Sequence, residues 1–168
     1  MNTMKPSSST KTFVLALFTT AMAFSSSCAQ QVGGRGLPPE AREQIHALFD
    51  AHAKIRRDLK LTADGYTALT ESDDPKVAAA LKKHVGQMQA RLGGGLSVRR
   101  WDPAFAEYCD HYDEMEHQFT PTDKGVRMTV KGRTANAVKI AQNHAKVVSD
   151  FAAHGWSEHD KKHDTVTR

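Results

Sequence analysis

The chain has 168 residues, enough for one domain with its own hydrophobic core. Residues 1–28 hold two lysines and no acids, which leaves 21 basic against 19 acidic side chains in the remainder. A balance this close to neutral, without a dense Lys/Arg patch, argues against nucleic acid as the main partner.

Residues 1–29 read as an export signal: Lys5 and Lys11, an apolar run from Thr12 to Phe24, then Ser25, Ser26, Ser27, Cys28 and Ala29. At about 13 residues the run is shorter than a membrane-spanning helix requires, and no second apolar run exists. Two processing readings stand side by side. Ser27 and Ala29 fit the small-x-small rule of signal peptidase, with the mature chain starting at Gln30. Alternatively, Cys28 becomes the lipidated first residue of a lipoprotein and attaches the protein to a membrane, although Ser25 stands where such signals usually carry leucine. Either route predicts a periplasmic or secreted protein, or one lipid-anchored to the cell envelope. The mature domain then keeps the single thiol of Cys109, so disulfide stapling is not expected. Lying near Phe105, Tyr108 and Tyr112 in sequence, Cys109 reads as a small buried hydrophobe.

Residues 30–37 form a Gly-rich spacer. A first helix is predicted from Pro38-Pro39-Glu40, with Ile45, Leu48, Phe49, His52 and Ile55 as its inner stripe. Leu59 to Thr70 alternates around Asp64-Gly65, a hairpin signal. The second helix starts at Ser72-Asp73-Asp74-Pro75 and stops at Gly93-Gly94-Gly95. A third starts at Trp101-Asp102-Pro103, with Phe105, Tyr108, Tyr112, Met115 and Phe119 on its face. Phe119 to Val130 alternates around Asp123-Lys124-Gly125, and the fourth helix, from near Thr134, uses Ile140, Ala141, His144, Val148 and Phe151. Residues 156–168 read as a flexible, solvated tail, in which His159 and His163 would share a face only if helical.

The order is helix, hairpin, helix, and then the same again. A shift of 60 residues lays Ile45 on Phe105, Leu59 on Phe119, Gly65 on Gly125 and His84 on His144. The expected fold is therefore α+β, a single duplicated domain over residues 38–155 with repeats at 38–95 and 100–155. Its helices form a four-membered layer beside a small antiparallel sheet, since lone hairpins are marginal and should pair. Glycine at both turns predicts positive φ at Gly65 and Gly125.

The strings TESDDPKVAAALKKHVGQMQARL, RRWDP and KGVRMTV with a later histidine resemble a group of exported bacterial proteins with paired TSDDP…H segments, mostly described as uncharacterised. The likeness covers about residues 40–153. In the second half Gly132-Arg133-Thr134-Ala135 replaces the expected Ser-Asp-Asp-Pro. What it implies is the duplicated architecture and no particular chemistry.

The chemistry rests on histidines. His84 and His144 fall on apolar helix stripes at equivalent places in the two halves, and His52 and His111 lie near equivalent places on the first and third helices. Four imidazoles facing one another suit haem b with axial histidines, or a Zn or Cu ion. Met88 and Met115, four residues beyond His84 and His111, are candidate auxiliary thioether ligands. The bland alternative is a set of structural histidines in a non-catalytic envelope protein that binds another protein. No Cys-x-x-Cys-His or His-Glu-x-x-His is present, and the second helix lacks the inward acid of a di-iron bundle. Nucleophile elbows and phosphate loops are also missing, so no enzyme activity is expected.

Overall fold

Proline opens three of the helices, where its missing N–H leaves no bond unmade. The computed structural model describes residues 36–167 and the isolated Met1, all but Met1 within one unit, residues 33–168. The expected signal segment, including Cys28, and most of the spacer lie outside the described residues. Helix α1 is Pro39–Asp50. Helix α2, Pro75–Gly93, starts at Asp74, whose carboxylate accepts from the Lys76 N–H at 2.9 Å. Helix α3, Pro103–Asp110, is capped by Asp102 through the Ala104 N–H at 3.2 Å. Helix α4, Ala135–His154, has no proline; the Thr134 hydroxyl caps it, accepting from Ala137 at 3.1 Å. A last short helix, α5, is Trp156–His159.

Four strands make one antiparallel sheet: β1 Arg56–Thr62, β2 Gly65–Glu71, β3 Met115–Thr122 and β4 Gly125–Gly132, in the order β1-β2-β4-β3. The two hairpins thus join through β2 and β4, with Ala68 opposite Met128. Strand alternation sends Tyr66, Ala68, Thr70, Val126 and Val130 inward, all buried, while Lys60, Arg127 and Lys131 on the other face are exposed. Helices α2 and α4 lie on the sheet, α1 packs on both, and α3 packs on α4. Small residues let α4 approach closely: Ala137, Ala141 and Ala145 have no exposed surface and Ile140 has 1%. The fold class is α+β. No helix among the described residues is long and apolar enough to cross a membrane.

Several local expectations need correction. Helix α1 ends at Asp50, and His52 sits in a 3-10 turn, His52–Lys54. The third helix ends at Asp110; Tyr112 lies in the turn Tyr112–Glu114, and Met115 and Phe119 belong to β3. Their spacing satisfies a helix, but Met115, His117 and Phe119 also alternate, and pairing with Gly132, Val130 and Met128 decides for the strand. His111 and Met115 therefore share no helix face. Gly65 has φ 156°, whereas Gly125 is not among the positive-φ residues. Both are glycine because the central strands approach closely. A Cβ on Gly65 would collide with the Val130 carbonyl oxygen, and one on Gly125 with that of Thr70.

The C-terminal residues, expected to be solvated, lie against α3 and α4. The Ala104 N–H donates to the His163 carbonyl at 3.1 Å, and the Asn143 side chain donates to the Asp164 carbonyl at 2.9 Å. Glu107, 1% exposed, accepts from the backbone N–H groups of Val166 and Thr167, each at 3.0 Å. His163 sits between two carboxylates, donating from Nδ1 to Asp102 at 2.7 Å and from Nε2 to Glu158 at 2.8 Å. Buried acids without donors are unfavourable, and the tail supplies the donors.

Candidate functional site

On the inner side of α2, Leu81, His84, Val85, Met88 and Leu92 recur at helical spacing. Some of this stripe packs and some does not. Leu81 joins Leu48 and Val77 in a core cluster, while the whole stripe also lines a cavity of about 570 Å³. From α4 the wall is formed by His144, Val148 and Phe151; from the sheet it is formed by Arg57, Thr70, Phe119 and Met128. Phe105 and Tyr108 of α3 and Ile45 and Phe49 of α1 complete the apolar lining. Arg100 and the 48%-exposed Trp101 also line it. Its size is within the ~300–1,000 Å³ typical of small-molecule sites.

His84, His144 and Met88 all line the cavity. His144 is clamped: Tyr108 stacks on it with centroids 3.7 Å apart and planes at 13°, and Phe105 meets it edge-on at 5.1 Å. Burial pushes the His84 pKa down to about 4. Burial does the same to His144, helped by the nearby charges of Arg57 and His117, and brings it to about 3. Both imidazoles are therefore neutral at pH 7, the form that binds metals. The Nδ1 atom of each is buried and has no hydrogen-bond partner.

His52, His111 and Met115 are placed elsewhere. His52 Nδ1 bonds to the Ala153 carbonyl at 3.1 Å, and its ring lies against Gly155. His111 caps α3 and bonds to Glu114 at 2.7 Å. Met115, 4% exposed, packs in the core cluster with Tyr66, Val130 and Ile140. None of these three lines the cavity. Met128 does, and so does His46, whose ring lies 4.8 Å from that of Trp156. Behind Tyr108, its hydroxyl is 2.9 Å from His117 Nε2, and His117 in turn stacks on Tyr112 at 4.1 Å. Burial, opposed by a backbone bond at Met115, takes the His117 pKa down to about 4.

Arg57 is the residue that sequence reasoning passed over. Its signal is there in retrospect: Arg57 shares strand parity with Leu59 and Leu61, so it occupies an inward position of β1. Its Nε donates to the Ser149 hydroxyl at 3.1 Å and its Nη1 to the Thr70 hydroxyl at 2.6 Å, while Nη2 is buried without a partner. Cys109, a free thiol expected to be buried, is half-buried; it contacts the Val98 carbonyl at 3.8 Å and the side chain of Ser97, and burial raises its pKa, which blunts it as a nucleophile.

Comparison with protein-family models, with curated proteins and with solved structures finds no match to this chain.

Proposed function

We propose that this is an exported haem- or metal-binding protein, serving carriage, sensing or electron transfer, with His84 and His144 as ligands. One observation carries the reading: two neutral imidazoles line one cavity, and each keeps a buried Nδ1 without a partner. A structural histidine usually bonds to a nearby carbonyl or carboxylate, as His52 and His111 do. Among the described residues no group of three His, Cys, Asp or Glu side chains is arranged to hold an ion. Haem b is therefore favoured over bare Zn or Cu, because the macrocycle would supply most of the iron's donors and His84 and His144 would need to supply only the rest. Met88, one turn beyond His84 and also on the cavity, would offer an alternative thioether ligand.

We also read residues 38–95 and 100–155 as copies of one ancestral unit. Under that reading His84 and His144 are the same residue twice, delivered to one cavity by a shared axis. Export fits a carrier of this kind, and the N-terminal mass of the cell-resident protein tests it: intact residues 1–24 would rule it out.

Absorption spectra and metal analysis of protein purified from its native host test the site. Bound haem with imidazole ligation is expected. Retention should be largely lost in His84→Ala and in His144→Ala, with little more lost in the double variant. Wild-type content in both single variants, with only thermal stability reduced, makes the histidines structural and the proposal wrong.

A further inference from the structure

We infer that the cavity selects a tetrapyrrole by its carboxylate, and that Arg57 receives that carboxylate. The inference rests on the cavity being a tetrapyrrole site, and it is independent of whether the histidines bind metal.

Among the described residues the buried carboxylates all have partners. Asp102 has Arg99 and His163, Glu158 has Lys161 and His163, and Glu107 has the donors of the tail. Of the other arginines on the cavity wall, Arg99 is matched by Asp102 at 3.1 Å and Arg100 by Asp110 at 2.7 Å, Arg91 donates to the Ser97 carbonyl at 3.0 Å, and Arg42 is exposed to solvent. Arg57 differs in keeping a buried N–H group without a partner. It lies on the wall with no carboxylate beside it; both its bonds go to neutral hydroxyls. Acids close to it in sequence are engaged or placed elsewhere. Asp58 is exposed on the outer face of the sheet, and Glu71 accepts from the Thr122 hydroxyl at 2.6 Å. Burial lowers the Arg57 pKa, but a guanidinium starts so high that it stays charged at pH 7.

A buried cation without a counterion is unfavourable, so it requires a compensating partner. The two hydroxyls fix the plane of the guanidinium and leave Nη2 as the spare donor. A carboxylate supplies what is missing, since it neutralises the charge and accepts from the fork of N–H groups. A mostly apolar cavity with this buried cation in its wall suits a largely apolar ligand with an acidic side arm, and a porphyrin dicarboxylate is one.

The test uses the full chain as exported, with two metal-free probes: protoporphyrin IX and its dimethyl ester. Neither has a metal for a histidine to ligate. Wild-type protein should bind the acid about 10- to 100-fold more tightly than the ester, the range for hydrogen bonds to a charged group. Arg57→Gln should abolish that preference, and Arg57→Lys should restore part of it. Equal wild-type affinity for acid and ester overturns the inference, even if the Arg57 variants fail to fold. So does an undiminished preference in a folded Arg57→Gln, or no binding of either probe. If the acid preference holds and haem shows no imidazole ligation, the histidine proposal fails alone.

Discussion

The ring of Tyr108 lies face to face on that of His144, 3.7 Å between centroids, while its hydroxyl reaches His117 at 2.9 Å. One side chain therefore orients an imidazole on the cavity and ties it to β3. Tyr108→Phe keeps the stack and leaves the His117 ring nitrogen without its partner, and should destabilise by about 1–2 kcal/mol in urea unfolding. Tyr108→Ala removes the clamp and opens the wall of the cavity; a loss of about 3–5 kcal/mol is expected. In NMR titration the His144 pKa should rise toward the ordinary histidine value in the Ala variant and not in the Phe variant. A His144 pKa unchanged in Tyr108→Ala would show that the stack does not keep it dry.

Acid should loosen the protein through its interior histidines. His84, His117 and His144 have folded pKa values near 4, 4 and 3, below the ~6.5 of an unfolded chain. Unfolding therefore takes up protons below pH ~6.5. Their stabilising contribution is complete above that pH and shrinks as pH falls toward 4, by up to about 1.4 kcal/mol per pH unit for each histidine. His163 has the opposite sign. Burial works against its charge, but the bonds to Asp102 and Glu158 win and raise its pKa. Its contribution is present below pH ~6.5 and fades as pH rises through the folded value. Denaturant titrations from pH 4 to 9 check both limbs, and His163→Asn should flatten the alkaline one. A curve flat between pH 4 and 6.5 would refute the acid limb.

The tail is structural. His163→Ala removes one partner of Asp102, which is fully buried, and one of Glu158, 4% exposed, while Arg99 and Lys161 remain. Losing one charge-assisted bond at each carboxylate should cost about 1.5–3 kcal/mol. Adding Asp102→Asn to that variant should recover part of the loss, because the amide carries no charge to strand. If His163→Ala unfolds at the wild-type urea midpoint, the tail contacts contribute nothing.

Gly65→Ala and Gly125→Ala should both be severe, by about 2 kcal/mol or more, because each new methyl falls on a carbonyl oxygen of the neighbouring central strand. Gly125 is the informative one. Its conformation is open to any residue, so only the close approach to Thr70 forbids a side chain. A neutral Gly125→Ala in thermal unfolding would refute that explanation.

Local chemistry written in the chain determined a good deal. Asp74-Pro75 and Asp102-Pro103 opened helices where expected, and Gly65 and Gly125 marked the hairpin turns. His84 and Met88, four residues apart on one helix, necessarily shared a face. Where two periodicities coincided, the chain alone did not decide. Tyr108, Tyr112, Met115 and Phe119 fit a helix, and β3 formed because β4 offered a complete ladder of partners. Only tertiary structure separated the histidines, giving His52 and His111 local bonds and leaving His84 and His144 on a shared cavity wall. Arg57 and the tail belong to the same class. A strand pattern says which way a side chain points, but whether it finds a counterion depends on elements distant in sequence. Arg57 meets only the hydroxyls of Thr70, across the hairpin, and of Ser149 on α4, whereas Asp102 meets His163. Charge pairing over such separations depends on packing geometry, which the whole fold sets at once.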